Sequence, residues 1–229
     1  GVLLGNNPEM LTAMAAAGLG GYVLCGINNT RRGDALARDI RRGDCQLLVT
    51  DDQHLGLLDG LDLTDVRVLV VGSPEWNALT AQPGPLTPHR ETGATDTFML
   101  IFTSGTSGDP KAVQMMHAMV LLAGAALAAR YELTPDDVCY LSMPLFHSNA
   151  VLAGWSVALS SAAAMAPAQF TASGFLDDVR RYGVTYMNYV GKPLAYILAS
   201  PESPDDLDNP LRAASGDDAS DRDSAEPTR

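Results

Sequence analysis

The chain has 229 residues, 46% hydrophobic and 18% charged, room for one large domain or two small ones. Its formal net charge of −12 excludes the usual nucleic-acid binder, whose phosphate contacts need clustered Lys and Arg. Cys25, Cys45 and Cys139 are widely spaced and odd in number, which excludes a disulfide framework or a cysteine metal pair and leaves buried free thiols in a reducing cytoplasm.

Strands and helices alternate from the start. Val2–Leu4 reads as a short strand, and Asn6-Asn7-Pro8-Glu9 as the capped start of a helix running to about Ala17, ended by Gly18, Gly20 and Gly21. Tyr22–Ile27 is the next strand. Thr30 then caps a helix over 31–43, with Ala35, Leu36, Ala37 and Ile40 on its apolar face. Gln46–Thr50 and Arg67–Val71 are two more strands. This spacing predicts βαβ units and a parallel sheet, an α/β fold. The proline-rich stretch 73–96 reads as a surface connection.

Thr97–Phe102 is a strongly apolar strand. His117–Arg130 is apolar almost all round, which predicts a helix packed on both sides. Met115, Met116 and Met119 are expected in core packing. After a turn at Thr134–Asp137, a buried strand at Val138–Ser142 opens a second alternation: helix 148–160, strand 162–166, helix 173–182, strand 184–188 and helix Lys192–Ala199. Residues 138–176 carry no Asp, Glu, Lys or Arg, but serines, Pro167 and Gly174 interrupt the run, so buried helix and strand are expected and not a transmembrane segment. Residues 1–200 are expected as one partial domain. Residues 201–229 hold nine acids and three arginines and read as a solvated, partly disordered tail, with a short strand allowed at Leu211–Ala214. Gly1 opens the chain without a methionine, already in an apolar strand, so a fragment is expected.

The chemistry concentrates in Thr103-Ser104-Gly105-Thr106-Ser107-Gly108-Asp109-Pro110-Lys111. Gly105 and Gly108 let the backbone turn tightly and aim N–H groups at an anion. The hydroxyls of Thr103, Ser104, Thr106 and Ser107 add donors, Pro110 stiffens the exit, and Lys111 ends the loop with a mobile positive charge. The ending Asp-Pro-Lys is not that of a Walker A loop. A hydroxyl- and glycine-rich loop behind an apolar strand predicts phosphate binding at the sheet's edge. His147 is the second candidate, against the plain alternative of a satisfied core histidine; His117 is divided between capping and function; His54 and His89 read as surface residues.

Leu100 to Lys111 fits every position of the AMP-binding signature, and the chain resembles the adenylate-forming superfamily over nearly its whole length. Met143-Pro144-Leu145-Phe146-His147 is similar to the family's next motif. Gly26 to Leu36, and Asn209-Pro210-Leu211-Arg212 followed by Gly216 and Ala219, resemble the fatty-acyl-CoA synthetase branch. The resemblance implies the large N-terminal domain of such enzymes, with partly parallel sheets. It implies ATP-dependent conversion of a fatty acid to an acyl-adenylate and then to acyl-CoA, with ATP, Mg2+ and coenzyme A. It implies that the 103–111 loop holds the β and γ phosphates, that His147 is the catalytic-site residue shaping the acyl and CoA pocket, and that Gly216 lies in the loop that packs on adenine. A non-catalytic nucleotide-binding remnant and an adenylation domain serving a carrier protein are the alternatives. The family's Mg2+-binding Thr-Glu motif, ribose-binding aspartate, hinge and C-terminal lysine domain have no counterpart in this sequence. Activity is therefore expected to need a complementing polypeptide or a homo-oligomer. The expected location is the cytoplasm, or peripheral at the membrane.

Overall fold

The computed structural model describes residues 1–82, 84–85, 87–103, 110–201 and 203–217. They form two compact units, Gly1–Met119 and a second from Val120 onward.

The first unit contains β1 (Val2–Leu3), α1 (Pro8–Gly20), β2 (Leu24–Gly26), α2 (Gly33–Arg42), β3 (Leu47–Thr50), α3 (Asp52–Leu55), β4 (Arg67–Val70), α4 (Pro74–Thr80), β5 (Thr97–Thr103) and β6 (Lys111–Met116), and the start of α5 (His117–Arg130). Its strands form one sheet in the order β4-β3-β1-β2-β5-β6, parallel except for β6 at the edge. Leu3, Cys25, Ile27, Leu36, Ile40, Leu48 and Phe102 pack together as its core. α1 begins as its residues dictate: Asn7 Oδ1 accepts from the Met10 N–H at 2.9 Å, with Pro8 in the first turn. Its expected end near Ala17 is passed. Gly18 and Gly20 stay helical, and only Gly21, at φ 76°, stops the helix.

Three other local expectations are corrected and one unforeseen strand is added. Thr30 does not cap α2, because its N–H and hydroxyl are both held by Asn28 Oδ1, and the helix starts only at Gly33. The connection after residue 73 contains α4, capped by Ser73 Oγ on the Trp76 N–H. Residues 111–116 are a strand. Of the three methionines expected in the core, Met115 is buried, while Met116 on the edge strand and Met119 are exposed.

The second unit contains the rest of α5, β7 (Val138–Leu141), a π-helical turn (Ala150–Trp155) that continues into α6 (Ser156–Ser161), β8 (Ala164–Pro167), α7 (Phe175–Tyr182), β9 (Tyr186–Val190), α8 (Lys192–Leu198) and β10 (Ala213–Asp217). Its sheet is all parallel, in the order β10-β9-β7-β8. Tyr140, Ala166, Phe175, Val179, Val184 and Met187 form its core. β10 lies inside the segment expected as tail; it begins two residues after the start of the short strand allowed there and ends three residues beyond it.

Arg212 locks β10 in place. Its guanidinium donates to both carboxylate oxygens of Asp137, at 3.0 and 2.7 Å, and to the carbonyls of Tyr131 and Glu132 just past α5. Asp137 also accepts from the Thr134 N–H and the Thr185 hydroxyl. These bonds, with Arg212 foremost, hold the Asp137 carboxyl well below the usual range.

α5 is not packed on both sides. Val120, Gly124 and Ala128 form its buried stripe, and Leu121 and Leu122 are exposed. Gly124 lets α6 come close, since a Cβ there would stand 2.3 Å from the Ser156 carbonyl oxygen. No helix among the described residues is long and apolar enough to cross a membrane.

Candidate functional site

In the first unit, β5 and β6 form an antiparallel pair in which Thr103 stands opposite Lys111. The two ends of the predicted phosphate loop are thus brought together as a hairpin stem, with both end residues exposed. Ser104, Gly105, Thr106, Ser107 and Gly108 lie outside the described residues. Pro110 is buried, and its carbonyl accepts from the Arg42 guanidinium at the end of α2. Arg42 thereby fixes the exit of the loop; 68 residues separate the pair, and no local pattern announces it.

Three strand ends of the same sheet meet in a polar cluster. Asp51, which caps α3, accepts from His54 Nδ1 at 2.6 Å, from the His54 N–H at 3.0 Å and from Asn7 Nδ2 at 3.3 Å. Asn29 Nδ2 faces His54 Nε2 at 3.3 Å and donates to the Leu4 carbonyl. A proton on Nδ1 satisfies every one of these contacts. His54 is only 7% exposed, so its expected surface placement is corrected: the ring is a structural tie between the ends of β1, β2 and β3. His89 is exposed and stacks on Tyr22. His117 starts α5 with its N–H on the Asp96 carbonyl and its ring edge-on to Phe98; its Nε2 is buried without a partner.

In the second unit, His147 sits in the turn after β7, at the carboxyl edge of the parallel sheet, where α/β folds bind ligands. Its N–H donates to the Pro144 carbonyl at 2.9 Å, and its ring lies 4.6 Å from that of Phe146. Burial lowers its pKa, which favours the neutral imidazole. The π-helical turn follows directly, a rare form often found beside functional residues. Gly216 lies in β10 opposite Tyr189 of β9. A Cβ there would come within 2.5 Å of the Tyr189 ring, so only glycine admits this ring across the strand. Tyr189 was not singled out in the sequence. A cavity of about 1030 Å3 also lies in this unit, lined by Phe175, Met187, Tyr189, Ile197 and Leu211; neither His147 nor Gly216 lines it.

Among the described residues, no three His, Cys, Asp or Glu side chains come together to hold a metal ion. No metal ligand is assigned among them.

The AMP-binding enzyme family model matches residues 1–227. The chain belongs to the AMP-binding enzyme family. Among its AMP-binding relatives, a medium/long-chain fatty-acid–CoA ligase, FadD17 of Mycobacterium marinum, is 52% identical over 218 residues, which is 94% of this chain and 42% of the relative. A steroid-22-oyl-CoA synthetase of Rhodococcus jostii is 45% identical over 231 residues, 99% of this chain and 42% of the relative. The chain therefore spans less than half the length of the curated relatives it matches. Among solved structures, apo MbtA of Mycobacterium smegmatis superposes with a TM-score of 0.83 at 24% identity, covering 98% of this chain and 43% of that one. The fold is that of the N-terminal domain of adenylate-forming enzymes.

Proposed function

We propose that this AMP-binding chain is the ATP-gripping part of a fatty-acyl-CoA ligase. The observation that carries the reading is the hairpin in which Thr103 and Lys111 pair across a Ser/Thr/Gly loop. The pairing brings the two ends of that loop together and places Lys111 beside Thr103. It would take the β and γ phosphates of ATP, with Lys111 adding charge stabilisation as pyrophosphate leaves. In the reaction proposed, a fatty carboxylate attacks the α-phosphate and displaces pyrophosphate, forming an acyl-adenylate, and the thiol of coenzyme A then takes the acyl group and releases AMP. The neutral His147 would shape the acyl and CoA pocket, and Gly216, kept flat by its missing side chain, would border adenine. The similarity to the two CoA ligases supports a lipid acid as the substrate class. A cytoplasmic location goes with soluble ATP and CoA as substrates.

ATP–pyrophosphate exchange with a panel of fatty acids tests this. The 229-residue chain alone is expected to show none. A chimera continuing the chain with the remaining part of the M. marinum relative is expected to exchange with fatty acids. A folded chimera that exchanges with amino acids and with no fatty acid would refute the reading in favour of an adenylation domain.

A further inference from the structure

Asn188 is the central residue of β9 and is 1% exposed. Its Nδ2 donates to Asn149 Oδ1 at 2.7 Å, while its own Oδ1 is buried without a partner. A Cβ on Gly154 would lie 2.7 Å from that oxygen, so glycine at 154 is what gives the amide room. Two residues earlier on the same face of β9, the Tyr186 hydroxyl donates to the Ala153 carbonyl at 2.7 Å. The π-helical turn Ala150–Trp155 is therefore tied to β9 by two side chains, one inside it and one at Asn149, just before it.

This arrangement has a cost that packing alone does not explain. A buried, half-satisfied amide is unfavourable, and a leucine would fill the same space without that cost. The π-helical turn is itself less favourable than α-helix and is found mostly where geometry serves function. Both features converge on the segment just after His147. The His147 carbonyl accepts from the Val151 N–H at 3.2 Å, so a shift of Asn149 and the turn's start moves the histidine with it.

We propose that Asn188 is a positioning residue for His147, acting through Asn149. Its amide fixes the start of the π-helical turn and so sets where the imidazole stands at the carboxyl edge of the second sheet. The functional consequence rests on the reading of His147 as a pocket residue; the positioning itself does not.

NMR titration of the four histidines in the 229-residue chain tests it. Wild type, Asn188→Leu and Asn149→Ala are compared, with His147→Gln to assign the signal. In both test variants the His147 pKa, held down by burial, is expected to climb by about half a unit or more as the ring is released toward water. His54, His89 and His117 are expected to titrate as before. Should Asn188→Leu fail to fold, Asn149→Ala, at a half-buried side chain, carries the test. An unmoved His147 in a folded variant overturns the proposal, as does a shift of all four histidines together. Because the readout is a proton and not acyl transfer, failure here leaves the ligase reading standing, and absent pyrophosphate exchange leaves this proposal standing.

Discussion

Replacing Arg212 with methionine removes the guanidinium that ties the start of β10 to Tyr131, Glu132 and Asp137 in the connection between α5 and β7. The methionine keeps most of the aliphatic stem and loses two bonds to Asp137 and two to the carbonyls of Tyr131 and Glu132. The Asp137 side chain is 7% exposed and stays charged near neutral pH, so the variant leaves a buried carboxylate with only Thr134 and Thr185 to hold it. Breaking a fully buried pair in this way costs about 3–5 kcal/mol. The Arg212 side chain is 43% exposed, so water screens part of its interaction, and the expected loss falls to about 2–3 kcal/mol. With a urea slope of about 2–3 kcal/mol per molar, the unfolding midpoint of the second unit should drop by about 1 M. Trp155 is buried in that unit, and Trp76 lies in the first, so fluorescence in a Trp76→Phe background follows the second unit alone. A midpoint within about 0.2 M of the parent would refute the claim that this ion pair secures the strand.

The same pair predicts the acid limb of stability. The Asp137 pKa is lowered on folding, so the unfolded chain binds the extra proton first. Its contribution is fully present above the unfolded value of about 4 and drains away as pH falls below it. Urea midpoints from pH 7 to pH 3 should therefore fall more steeply in the parent than in Arg212→Met, and parallel curves would contradict this. Gly124→Val drives a side chain into the Ser156 carbonyl and should destabilise by about 2 kcal/mol or more, read as a lower unfolding midpoint; an unchanged midpoint would mean α5 and α6 are not in close contact.

Much of the α/β alternation is legible in the chain because short apolar runs and local caps such as Asn7 are decided within a few residues. What escapes is non-local. Lys111–Met116 pairs antiparallel at a sheet edge, and only its partner β5 reveals it as a strand. His54 looks like a surface histidine until Asn29 and Asn7, 25 residues before it and 44 residues before Asp51, close around it and its cap. Arg212 meets Asp137 across 75 residues. The nearly all-apolar sequence of α5 predicts packing on both sides, yet only the small-residue stripe decides where the next helix fits. At the candidate site, the proposed phosphate loop and its lysine were readable as a motif because they are contiguous in the chain. Arg42, Tyr189 and Asn188 were not, since each meets its partner through the tertiary fold.

ATP titration of the 229-residue chain, beside Lys111→Ala and Thr106→Ala of matching circular dichroism, tests the phosphate loop most directly. On the proposed reading each substitution would remove a donor to the nucleotide's anionic tail, and a charge-assisted bond of about 1.5–3 kcal/mol predicts at least roughly tenfold weaker binding. Equal affinity in all three proteins would contradict the assignment of residues 103–111 to the phosphates.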